Sequence, residues 1–369
     1  MKSIKYLTLA LIFSSISLFS QDYYDVMINP FWDFYSNNYL NAISSGKGYT
    51  GISENGNISS TRLNPAALDI TNKFQADLQY TYKTEQPWLE YIADDINLTP
   101  NIFSLSAGFG YKINKNFNVG ILYSNPSSIT LDLGKIIITN EFGQEIGSYE
   151  AYEKYETHSF SVPLACIIEN FRFGVNLNYT LHRRYLNFDD SIYTGKFDKF
   201  NFQAGVIYRP IKHLSFGASF TPQISGNSEN SFEHVAQEEE TKVLMPMTFT
   251  VGFDYMFKGN FLKIAGDYTY VNLSARDNLK DRNQVHFGIE YIVNKNWEVR
   301  TGFFTFADPR DLSGNNWGNP QDNYDQVFLT IGTTYKISGF GISLAIMDSH
   351  ISSGIIKNTF ANAGINYDF

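Results

Sequence analysis

The chain has 369 residues, a formal charge of −9 and 1 Cys, which excludes an intrachain disulfide and argues against a nucleic-acid partner, since that needs a basic face. Aromatic residues make up 16% of it, 25 Tyr and 31 Phe among them, yet its mean hydropathy is −0.23. A transmembrane β-barrel reconciles the two, because apolar residues facing lipid alternate with polar residues facing the lumen.

At the amino terminus, Lys2 and Lys5 precede an apolar run over residues 6–18. This is the pattern of a signal peptide, residues 1–20, cleaved after Ser20. The run is short for a membrane-spanning helix, and the absence of Cys rules out a lipoprotein anchor. Residues 21–73 do not alternate. They contain Gly46-Lys47-Gly48-Tyr49-Thr50-Gly51, then Leu63-Asn64-Pro65-Ala66-Ala67-Leu68. The first matches G-x-G-x-x-G, but no strand precedes it and no βαβ unit follows, so the context of a dinucleotide site is missing. Irregular backbone is tolerated at membrane depth only where protein or lumenal water satisfies it. Residues 21–73 are therefore expected to form a plug inside the barrel.

From residue 74 onward the pattern changes to period two. Tight turns are expected at Asn114-Lys115-Asn116, Glu169-Asn170, Pro210-Ile211-Lys212, Lys258-Gly259-Asn260, Asn294-Lys295-Asn296 and Ser338-Gly339. Each turn joins two strands; with a first run from Phe74 and the terminal run, residues 74–369 predict fourteen antiparallel strands. An even number with short turns at one end and long connections at the other is an outer-membrane arrangement. On one strand, Phe171, Phe173, Val175, Leu177 and Tyr179 face lipid, while Arg172, Gly174, Asn176, Asn178 and Thr180 face the lumen. Residues 125–156 form a connection long enough for a hairpin of its own. Asn125-Pro126 interrupts the third run, since Pro lacks the N–H a ladder needs; the strand is either kinked there or ends at Tyr123. The final strand ends on Phe369.

The Gly-rich stretch followed by Asn64-Pro65-Ala66 just before the first strand, with fourteen strands and an aromatic terminus, resembles the FadL/TodX family of outer-membrane transporters for hydrophobic compounds (OMPP1-like). The resemblance covers the mature chain in architecture and residues 46–68 in motif, with Ala67 where the family commonly has Gly. It implies passive uptake of long-chain fatty acids or aromatic hydrocarbons across a Gram-negative outer membrane. It also implies a plug gated by Gly46, Gly48, Gly51, Asn64, Pro65 and Ala66, and a lateral opening beside a kink at Asn125 and Pro126. Phe369 resembles the signal read by the barrel-assembly machinery. The expected partners are therefore that machinery, membrane lipid and a hydrophobic ligand, with the chain a monomer.

Inward charges, among them Arg172, Lys263, Asp267, His286, Glu290, Glu298 and Arg300, are expected to pair across the wall. If a ligand carries a carboxylate, Arg172, Arg184 or Arg300 is the residue type to bind it bidentately. Phe304 and Phe306 share the Arg300 face and either line an apolar pocket or pack under the plug. Six scattered His give no metal-ligand spacing, no cofactor is implied, and no nucleophile meets a base, so no enzyme is expected. The alternative to transport is a barrel partner of a secretion apparatus, as in type IX secretion.

Overall fold

The computed structural model describes residues 41–83, 103–139, 144–188, 191–232, 241–275, 279–308, 325–352 and 358–369. The expected signal peptide and the first part of the expected plug, residues 21–40, lie outside them.

Sixteen antiparallel strands close on themselves. In chain order they are β1 (Phe74–Lys83), β2 (Phe103–Lys112), β3 (Phe117–Thr139), β4 (Glu145–Ile168), β5 (Phe171–Phe188), β6 (Ser191–Ile211), β7 (Leu214–Thr221) and β8 (Ile224–Phe232). There follow β9 (Thr241–Met245), β10 (Thr248–Met256), β11 (Leu262–Val271), β12 (Arg282–Asn294), β13 (Trp297–Phe306), β14 (Gln326–Ile337), β15 (Phe340–Asp348) and β16 (Thr359–Asp368). β8 prolongs β7 beyond Pro222-Gln223, and β9 leads into β10 across Pro246-Met247, so the wall itself has fourteen strands. β1 pairs with β16, and β5 with β6, which closes the barrel without an edge.

All six expected turns join neighbouring strands at one end. Ser338 and Gly339 both take positive φ, 49° and 87°, as a two-residue hairpin turn requires. The terminus is locked there: Phe369 N donates to Phe74 O at 3.0 Å and its carbonyl accepts from Phe74 N at 2.8 Å. The rings of these two residues stack at 5.4 Å.

The alternation follows the expected parity. Phe173, Val175 and Leu177 are exposed outward, while Arg172, Asn176 and Thr180 are buried inward. Putting Arg on the lipid face would cost on the order of 2–4 kcal/mol at the midplane, which fixes the register. About ten residues suffice to cross, as in β1, β2, β11 and β13. β3 to β6 run for 18 to 24 residues and so extend well past the membrane at the long-connection end. β3 does not end at Tyr123. It continues through Asn125-Pro126 with a shift in its register against β4 between Ser124 and Ser127. A bulge is where a strand can place a residue without an N–H.

Candidate functional site

Residues 41–73 lie against the inward face of the wall. They contain a single helical turn, Ala42–Ser45, and two 3-10 turns, Ile58–Arg62 and Pro65–Ala67. An irregular segment has backbone groups without regular partners, and inward side chains of the wall supply them. Gln79 Oε1 accepts from Ala42 N at 3.1 Å, Thr330 Oγ1 from Gly48 N at 2.8 Å, and Gln75 Oε1 from Ile58 N at 2.9 Å. Asp267 Oδ2 accepts from Gly51 N at 2.8 Å and Ile52 N at 3.1 Å. His286 Nδ1 donates to Gly48 O at 3.0 Å, Asn176 Nδ2 to Thr61 O at 2.8 Å, and Gln203 Nε2 to Arg62 O and Leu63 O, both at 3.0 Å.

The seat beneath this segment is a belt of small residues. Gly110 pairs with Gly120, Ala165 with Gly174, Gly174 with Gly205, Gly217 with Gly252, Ala265 with Gly288, Gly288 with Gly302 and Gly332 with Ala345. A Cβ on Gly302 would overlap Gly48 N and Lys47 C, and one on Gly205 would overlap Asn64 Oδ1. The glycines of the amino-terminal motif serve the same approach from the other side. Gly46 Cα rests against Gly332, and Gly48, at φ +68°, sits against Phe287 O and the Phe303 backbone. Gly51 takes φ +144°. G-x-G-x-x-G here lets backbone meet backbone.

Asn64 is fully buried and caps Pro65–Ala67, its Oδ1 accepting from Ala66 N at 3.0 Å. Its Nδ2 is shared among Ile52 O at 2.6 Å, Val206 O at 3.2 Å and Ala218 O at 3.3 Å. Its extended φ of −145° is what the following Pro favours. One residue thus ties the turn to the segment and to β6 and β7.

A run of ion pairs, buried from Lys47 to Glu298 and ending on the exposed Lys336, fixes the segment to the opposite wall. Lys47 pairs with Glu54; Glu54 with Lys263 at 3.2 Å; Lys263 with Glu290 at 3.3 Å; Glu290 with Arg300 at 2.6 Å; Arg300 with Glu298 at 2.5 Å; and Glu298 with Lys336. Burial alone would push the Glu54 carboxyl up, but the Lys263 and Lys47 charges outweigh it and hold it below the usual carboxylate value.

The ligand candidates fall in different places. Arg300 is spent on Glu290, Glu298 and Thr334. Arg172 donates to Leu68 O at 3.0 Å and pairs with Asp69 at 3.1 Å, so it anchors the segment. Arg184 is half-buried on the extension of β5. Phe304 stacks on Phe328 at 4.8 Å and meets Tyr49 edge-on at 6.4 Å, within an apolar cluster that also holds Phe306, Met347 and Phe360. These rings pack against the segment.

Beside the segment, toward the long connections, lies a cavity of about 130 Å³. Tyr49, Ile52, Leu63, Pro126, Met245 and Val271 give it an apolar side; Ser159, Ser161, Asn176, Asn178, Thr180, Gln203 and Thr269 give it a hydroxyl- and amide-bearing side. Two cations flank it that the sequence pattern did not single out. Arg62, from the segment, donates to Ser124, and burial brings its guanidinium down to about 10. Arg282 lies over the Phe306 ring at 4.5 Å. Among the described residues no cluster could hold a metal, and no helix is long and apolar enough to cross a membrane.

No protein-family model matches the chain, and no curated protein matches it in sequence. Solved structures do match in three dimensions. They include the Ralstonia pickettii toluene transporter TbuX, at 14% identity and TM-score 0.66, over 90% of this chain and 98% of that one. The Pseudomonas putida toluene transporter TodX matches at 13% and 0.61, over 90% and 98%. A Pseudomonas aeruginosa FadL homologue matches at 14% and 0.59, over 90% and 100%. At such identities the likeness is one of fold: the chain has the closed fourteen-stranded barrel of these FadL- and TodX-type channels.

Proposed function

We propose that the protein is an outer-membrane channel for passive uptake of hydrophobic or amphipathic small molecules, with its amino-terminal segment, residues 21–73, as a resident plug. The observation that carries this is the half-apolar cavity held between that segment and the inward faces of β4 to β7 and β10 to β12, in a barrel whose solved likenesses include two toluene transporters and a FadL homologue. A site that binds such solutes needs an apolar surface with a few placed polar groups. In this reading residues 1–20 direct export, Phe369 serves the assembly machinery, and the short turns face the periplasm. The interrupted β3–β4 ladder at Asn125 and Pro126, with Pro126 against the cavity, favours a sideways exit into lipid. Proteoliposomes carrying the protein should take up a fluorescent long-chain acyl probe or an aromatic hydrocarbon faster than empty ones. Equal rates would sink the proposal.

A second reading, a partner of a protein-secretion apparatus, is favoured by β3 to β6, whose extra length carries a sheet beyond the membrane where another protein could dock. Cells without the protein that keep normal uptake of hydrophobic solutes but lose export of large proteins would establish it in place of the first.

A further inference from the structure

Past the membrane, at the long-connection end, the closed wall opens into a sheet with two edges. β3 to β6 continue there, and β8 and β9 add to them, in the order β3, β4, β5, β6, β8, β9. A closed barrel has no edge; each edge of this extension leaves a row of backbone N–H and C=O groups on its outer side. The two edges differ. β9 is 5 residues long, carries Lys242 and runs into Pro246. Shortness, Lys and Pro keep an edge from pairing with another chain. β3 is the opposite case. It pairs with β2 only as far as Asn125, but with β4 as far as Thr139. Among the described residues, no strand lies beside 127–139 on the side away from β4. The stretch has no Pro, and its charges are Asp132 and Lys135, the latter in register with Glu150. One shift between Asp132 and Gly134 leaves two straight runs, 127–132 and 134–138. Successive residues turn their N–H and C=O groups to alternate edges, so about half of each run offers both to whatever lies alongside.

We propose that the open edge of β3 binds an extended, weakly charged segment of another polypeptide at the cell surface and adds it to the sheet as a further strand. A row of backbone donors and acceptors is matched by a strand, whose main chain supplies affinity while its alternate side chains supply specificity. The edge itself sets the composition it suits. Ile129, Thr130, Leu131 and Leu133, then Ile136-Ile137-Ile138-Thr139, are aliphatic or β-branched, and residues of this kind pair with their like across strands. A second copy of the chain does not fit. Two copies in one membrane stand the same way up, related by a two-fold axis along its normal. Barrel strands tilt by about 35–45°, so that axis sets the two β3 edges across each other at about 70–90°, and no ladder forms. The edge lies outside the lumen, so the proposal is independent of solute uptake and its failure would leave that reading untouched.

Amide hydrogen exchange on the full chain in detergent micelles tests this, with a peptide copying residues 147–155 as the probe. That stretch of β4 already matches β3 along its closed edge. In the protein alone, alternate amides across 127–139 should exchange freely while those bonded to β4 are protected. Adding peptide should slow the free set, about tenfold at ten times the Kd. Ile136→Pro and Ile137→Pro supply the control, because consecutive N–H groups point to opposite edges. One should disturb protection in β4; the other should leave β4 protected and abolish peptide binding, since Pro is tolerated where the lost N–H faces outward. Protection of every amide in the protein alone would mean that the chain covers its own edge, and would overturn the proposal. Protection that grows with protein concentration, without peptide, would make the occupant a second copy and overturn it as well. Free amides that stay fast at the highest soluble peptide concentration refute a strand-binding edge.

Discussion

β12 to β14 and β4 to β7 belong to one sheet and both seat the segment on glycine, yet their inward faces differ beyond that seat. On β12 to β14 the inward positions are Gly288, Gly302 and Gly332, with Glu290 and Arg300 beside them, and the segment lies there backbone to backbone. On β4 to β7 the segment rests backbone to backbone on Gly174 and Gly217 as well, but above them hydroxyls and amides stand inward and a cavity remains. The strands are equally regular on both sides. Whether the lumen is filled or open is decided by inward side-chain volume and charge, one position at a time.

The largest break in that contrast should come from the ion pairs. Lys263→Met leaves Glu54 and Glu290 buried beside one fewer cation. Removing one partner of such a pair costs on the order of 3–5 kcal/mol. The barrel ladder should survive while the segment loosens. Trypsin, to which the buried Lys47 is closed in the native protein, should then cut there, with the barrel core intact on gels. Resistance to cutting would mean that the glycine seat alone suffices.

Sterics come next. Gly302→Val adds bulk where Gly48 N and Lys47 C already sit, and overpacking of this kind costs about 1–3 kcal/mol. Gly147, with nothing within 4 Å of its Cβ position, is the control. Gly302→Val should lower the unfolding midpoint in urea and Gly147→Val should not.

The strands, their turns and their parity were legible because lipid on one side and a polar lumen on the other impose period two on residues that are adjacent in sequence. Arg172 and Asn176 could face only one way. The seat was not legible: Gly174 read only as a small lumenal residue, and the registers alone line it up with Gly288 and Gly332 in a belt. Nor could sequence choose among the arginines. Arg172 is matched by Asp69, far away in sequence, and Arg300 by Glu290, opposite it only once the β12–β13 register is set, while Arg62 and Arg282 reach the cavity from the segment and from the start of β12. Asn125-Pro126 left open an ending or a bulge, and pairing of residues 127–139 with β4 decides for the bulge.

On the cavity side substitutions should be nearly silent for stability. Ser161→Ala and Thr180→Ala alter the cavity lining and touch no ion pair of the seat, so unfolding should shift by no more than about 0.5 kcal/mol. Uptake of an acyl probe should nevertheless change. A stability loss as large as that of Gly302→Val would erase the distinction between the two halves.

The smallest effect is the acid response of the seat, and its direction follows from Glu54. Its carboxyl is held below the ordinary value of 4.5. A carboxylate depressed in the folded state contributes stability that is fully present above its unfolded value, and that contribution fades as the pH falls through the folded one. Proteolysis at Lys47 should therefore stay slow from neutral pH down through 4.5 and accelerate only below it. In Glu54→Gln that step should vanish, with cutting somewhat faster throughout, because Lys47 then loses its ion pair in the run and Lys263 keeps only the one to Glu290. No member of this run lines the cavity, so binding of a neutral aromatic probe there should show no step that disappears in Glu54→Gln. A probe affinity that moves with the proteolysis step would mean that the seat and the cavity respond as one unit.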